Sequence, residues 1–131
     1  MNDAALPTVT FTITKFHKVG GNKGYCDYTM SLANGGGVVS LDTSTNTITV
    51  ESSSEVNIVF QAAGDYLLAG ICFKETDKGK GDPHGAKAFP SVMLNLSGNT
   101  STLTLTDNAS TASSYEFAML VVGIDEQALG L

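Results

Sequence analysis

The chain has no tryptophan and no arginine, and only three prolines and two cysteines in 131 residues. Each scarcity excludes something. Arginine supplies the planar fork that grips phosphate or carboxylate through two bonds, and all seven basic side chains here are lysines. A phosphate-recognition module is therefore not expected. Acidic residues outnumber basic ones and leave a formal charge of −6. Nucleic acid and anionic membrane surfaces both require clustered cations, so neither is expected as the main partner. No apolar run approaches the ~18 residues of a spanning helix. Residues 1–7 lack the basic and apolar regions of a secretory signal, so the expected compartment is cytoplasmic. Three Asn-x-Ser/Thr sequons, at Asn95, Asn99 and Asn108, read in that setting as coincidences of a Ser/Thr-rich chain.

Cys26 and Cys72 fall on the second and sixth of the strands counted below. A disulfide across two stacked sheets is conceivable from that placement. Its usual companions are missing: there is no tryptophan, and Tyr66 does not stand two residues before Cys72. Two buried free thiols, behaving as small apolar residues, are the expectation.

What is present is alternation. Val9, Phe11 and Ile13 alternate with threonines, and Cys26, Tyr28, Met30 and Leu32 share one parity of the next segment. Short runs at 38–41, 47–50, 56–61, 66–73, 89–96, 101–106 and 114–122 follow, separated by Gly, Asn, Asp and Ser clusters. Period-two patterning with turn signals every eight to twelve residues or so marks an all-β chain. At 42% hydrophobic and 15% charged, residues 1–131 have the composition of one globular domain, with 1–7 and 123–131 as tails. The expected fold is an antiparallel two-sheet β-sandwich of about nine short strands, immunoglobulin-like or Greek-key. Pro90 at the head of the 89–96 segment marks an edge strand or a strand start.

Residues 66–73 organise this pattern. Leu67, Ala69, Ile71 and Phe73 fall on one parity and Leu68, Gly70 and Cys72 on the other, so neither face is polar. Ala118–Val122 shows the same property. Apolar outward faces point to contact with another subunit or another protein, and Leu68, Leu120 and Val122 are the candidate interface residues.

The longest loop, Lys74 to Ala88, follows at once. Its polar residues, Lys74, Glu75, Asp77, Lys78, Lys80, Asp82, His84 and Lys87, form a candidate ligand loop. Carboxylates in such loops bind calcium or sugar. Against that, the Asp-x-Asn-x-Asp-Gly spacing is absent and four lysines oppose a dication. The two histidines, His17 and His84, lie in loops that an up-and-down strand count places at opposite ends, so no shared metal site is expected. A blue-copper set of two histidines with cysteine and methionine is likewise missing. There is no Gly-x-Ser-x-Gly elbow, and Gly79–Lys87 lacks the Gly-Lys-Ser/Thr ending of a phosphate loop. No enzyme, cofactor or metal site is expected. The leading function is self-association or another protein contact, and the alternative is a carbohydrate- or small-ligand-binding module using the 74–88 loop.

Several segments together resemble the small bacterial proteins catalogued as the DP-EP family. They are Thr8-Val-Thr-Phe-Thr-Ile-Thr14, Asn46-Thr-Ile-Thr-Val50, Phe89-Pro-Ser-Val92, Leu103-Thr-Leu-Thr-Asp-Asn108 and Tyr115-Glu-Phe-Ala-Met-Leu-Val-Val122. The resemblance spans most of the chain and implies a β fold and a bacterial origin. It brings no catalytic or binding motif.

Overall fold

In the computed structural model of the chain, residues 5–20, 23–64, 66–76, 81–98, 100–109 and 113–123 are described. They form nine strands and no helix: β1 (Thr8–Gly20), β2 (Lys23–Ala33), β3 (Val39–Asp42), β4 (Thr47–Val50), β5 (Val56–Ala63), β6 (Tyr66–Glu75), β7 (Ser91–Ser97), β8 (Thr100–Asp107) and β9 (Tyr115–Gly123). The all-β class and the strand number expected from alternation are both found. Residues able to take positive φ make the turns, among them Asn34, Asn46 and Gly98.

The main layer is a five-stranded sheet in the order β2-β1-β5-β8-β7, and β6-β9 and β3-β4 are two-stranded sheets. All neighbours are antiparallel except β1 and β5, which run parallel from Thr8↔Val59 to Thr12↔Ala63. That departs from a wholly antiparallel expectation. Alternation fixes a strand's faces but not its direction, and here the chain pairs β3 with β4 before β5 comes in beside β1.

The core lies on one face of the main sheet. Val9 and Phe11 of β1, Met30 of β2, Ile58 and Phe60 of β5, and Leu103 and Leu105 of β8 are buried, and they meet Leu68 of β6 and Val39 of β3. A hydroxyl ties the layers together. The Leu68 N–H donates to Ser101 Oγ at 2.8 Å, and that hydroxyl donates back to the Leu68 carbonyl at 3.0 Å. Both polar groups of a buried strand residue are thereby satisfied.

Three register shifts interrupt the pairings, at Thr14 and Val19 of β1 and at Ala69 of β6. In β6, Ala69 is skipped between Leu68↔Val121 and Gly70↔Leu120. The slip puts Leu68, 1% exposed, on the core side with Ile71 and Phe73, and leaves Cys72 outside. Leu68 is thus a core residue and not an interface residue, which corrects the reading from simple parity. In β1, Thr14 is skipped between Ile13↔Tyr28 and Lys15↔Asp27. Here the hairpin continues to Gly20, so His17 and Lys18 lie in strand rather than in a loop.

Candidate functional site

The segment predicted as a ligand loop is internally stapled. Asp82 is only 3% exposed. Its Oδ1 accepts the Lys87 N–H at 2.9 Å, and its Oδ2 accepts the Ala88 N–H at 3.0 Å and the Tyr115 hydroxyl at 2.6 Å. Burial acts to raise its pKa, but these three donors and the Lys87 charge outweigh it and hold the carboxyl below its ordinary value. Burial, and then the bond to Asp82, push the Tyr115 phenol well above the ordinary tyrosine value. Glu75 donates its N–H to the Pro83 carbonyl at 2.9 Å and accepts from Ser113 Oγ at 3.0 Å. Gly85 takes φ +74°, and a Cβ there would stand 2.9 Å from Phe89 and 3.1 Å from Phe73. Only glycine fits that turn.

Asp82, expected among the ligand-loop residues, is thus engaged by the loop backbone and by Tyr115 of β9. Lys74, His84 and Lys87 are exposed, and Asp77, Lys78 and Lys80 lie outside the described residues. Among the described residues no group of three or more His, Cys, Asp or Glu could hold a metal ion. His17 Nε2 sits 2.7 Å from Asp27 Oδ2, and its ring stacks on Tyr25 at 4.6 Å. Cys26 and Cys72 are free thiols, as expected. They are not buried: Cys26 of β2 is half-buried, and Cys72 lies on the outer face of β6 and is exposed. Burial, with the neighbouring Asp27 carboxylate, raises the Cys26 thiol above its ordinary pKa.

Phe73 and Phe89, which flank the stapled loop, line a cavity of about 760 Å³. Phe73 and Phe89 stack at 4.2 Å, Tyr115 meets Phe89 edge-on at 5.1 Å, and Phe60 and Phe117 lie 6.3 Å apart. All five rings line the hollow, and residues 45–52 of the β3-β4 hairpin and its exit form the opposite wall. Among the described residues three charged ones line it: Glu51, Asp107 and Glu116. Asp107, at the end of β8, is half-buried and its Oδ1 accepts the Ala109 N–H at 2.8 Å. Burial raises its pKa, partly offset by that bond. Parity alone does not reveal this hollow. The available signal was the aromatic pair flanking the long loop, Phe73 before it and Phe89 after it, on inward parities.

Apolar exposure is greatest elsewhere. Every residue of β7 is exposed, with Val92 at 45%, Leu94 at 42% and Leu96 at 69%. These three face the core side, since Val92 pairs with Leu105 and Leu94 with Leu103. On β9, Leu120 is 62% exposed and borders a smaller groove of about 380 Å³ with Phe16 and Tyr25, while Val122 is half-buried. The interface expected from sequence thus loses Leu68, keeps Leu120 at the surface, and omits β7. No protein-family model matches the chain, and no curated protein matches it in sequence.

Proposed function

We propose that this chain is a non-enzymatic β-sandwich acting through protein contacts, beginning with a second copy of itself joined at the β7 edge. One observation carries this reading: β7 is an exposed edge strand with none of the usual protection. Edge strands are ordinarily blunted by charge, by an internal proline, by a bulge or by shortness. The opposite edge of the sheet, β2, carries Lys23 and Asp27 and faces a bulged partner. Ser91-Val-Met-Leu-Asn-Leu-Ser97 carries no charge and no proline, and its register with β8 is unbroken.

The β7 sequence is also complementary to itself. An antiparallel pairing about a two-fold axis at Leu94 sets Leu94 opposite Leu94, Val92 opposite Leu96, Met93 opposite Asn95 and Ser91 opposite Ser97. Aliphatic residues meet aliphatic residues on the core-side face, and each pair recurs about the axis as an isologous contact demands. The two five-stranded sheets then run on as one, and two apolar strips of Val92, Leu94 and Leu96 merge. Pro90, just ahead of the strand, limits the pairing to this segment. The stacked-sheet, immunoglobulin-like scaffold suits the role because it holds an edge rigid on a packed core.

Sedimentation equilibrium tests the proposal. The wild type is expected to dimerise with a Kd on the order of micromolar, equivalent to about 8 kcal/mol. Leu94→Lys, which places two cations at the axis, is expected to be monomeric. Leu120→Lys, on β9, is expected to dimerise as the wild type does. A wild type that stays monomeric at high concentration would remove the proposal, as would a dimer broken by Leu120→Lys and spared by Leu94→Lys.

A further inference from the structure

The aromatic hollow is a separate matter from the β7 edge. Native interiors pack as densely as organic crystals, and voids much larger than a water molecule are few. A hollow of about 760 Å³ falls instead in the range of ligand pockets, roughly 300–1,000 Å³. Its walls leave aromatic surface incompletely buried. Leu68 is 1% exposed, yet Ile71, Phe73 and Phe117, which pack against the same core, are only half-buried. The layers are in contact at Leu68, and the rings of Phe73 and Phe117 remain partly open to water.

The charge of the lining selects the occupant. Glu51, Asp107 and Glu116 are its charged residues, and no lysine lines it among the described residues. Among the described residues an anionic ligand would meet three carboxylates and no counter-charge. A bare metal ion would find no cluster of three ligands among the described residues. An organic cation meets carboxylates at the polar side and ring faces at the apolar side, and both attract it. Asp107, half-buried at the end of β8, is the carboxylate already partly withdrawn from water, where ion pairing is least screened.

We infer that this cavity binds a small aromatic or apolar organic cation, an amine or quaternary ammonium, with its body among Phe73, Phe89 and Phe117 and its charge toward Asp107.

Three indoles that differ only in head group test this: tryptamine, neutral methylindole and indole acetate. The protein contains no tryptophan, so indole emission reports binding directly. Tryptamine is expected to bind about tenfold more tightly than indole acetate, within the reach of a partly desolvated cation site. Asp107→Asn keeps an acceptor for the Ala109 N–H. It is expected to weaken tryptamine about fivefold or more, a loss of about 1 kcal/mol, and to leave methylindole unchanged. Val50→Phe, which fills the hollow from the β4 wall, is expected to weaken all three. The inference is overturned if tryptamine fails to bind at millimolar concentration or if indole acetate binds as tightly. It is equally overturned if Val50→Phe leaves tryptamine binding intact, because the probe then sits elsewhere.

Discussion

β7 and β8 are the two arms of one hairpin, alike in pattern and opposite in burial. Both place aliphatic residues on the core-facing parity, and the register sets Leu94 beside Leu103 and Val92 beside Leu105. Leu103 and Leu105 are 1% and 3% exposed, and Leu94 and Val92 are 42% and 45% exposed. One position in the sheet separates them. β6 of the second layer packs over β8, anchored by the Leu68–Ser101 hydrogen bonds, and no strand among the described residues covers β7. Hydrophobicity alone does not decide what is core. The reach of the opposing layer does.

The comparison can be broken by substitution. Leu103→Ala is expected to cost about 2–5 kcal/mol in urea unfolding, since it opens a cavity in the packed core. Leu94→Ala, measured on the monomer at low concentration, should change stability by no more than about 0.5 kcal/mol. Equal losses at the two sites would contradict the difference in burial. Ser101→Ala removes the hydroxyl that satisfies both polar groups of Leu68, and a loss of about 1–3 kcal/mol is expected. A neutral result would mean that water replaces the hydroxyl and that the layers are not anchored there.

Gly85→Ala introduces both a positive-φ penalty and a contact with Phe89. About 1–2 kcal/mol of lost stability is expected, visible as a lower urea midpoint. The Asp82 staple gives the subtlest signal, in its pH dependence. Its folded pKa lies below the unfolded value, so its contribution is present above the ordinary carboxylate pKa and is lost as pH falls through the folded one. Exchange protection of the Lys87 and Ala88 amides, both bonded to this carboxylate, should fall in the same acid window. Protection unchanged through that window would show that the carboxylate does not order the loop. At the alkaline end, Tyr115 has the opposite sign: its raised pKa means that its bond is lost only as pH climbs beyond the ordinary tyrosine value.

The alternation at 8–13 and the aliphatic parity at 101–106 made β1 and β8 legible, because period two is a direct image of the pleat. Pro90, read as an edge or a strand start, stands immediately before β7, which is an edge strand and begins at Ser91. The bulges at Thr14 and Ala69 were not legible. Each is a backbone event chosen by the partner strand, and the second moved Leu68 from an outward to an inward face. The Asp82–Tyr115 bond joins residues 33 positions apart, so no local spacing announces it. The exposure of β7 was hidden for the same reason: it depends on where β6 lies, and strand order is not written in the parity of any one strand.

Amide exchange along the two sheet edges, followed at low and high protein concentration, tests the self-pairing of β7 most directly. The outward-pointing amides within Val92–Leu96 should become protected as concentration rises, while those on the outer edge of β2 keep one rate throughout. Rapid exchange of the β7 edge at every concentration, or equal protection of both edges, would contradict it.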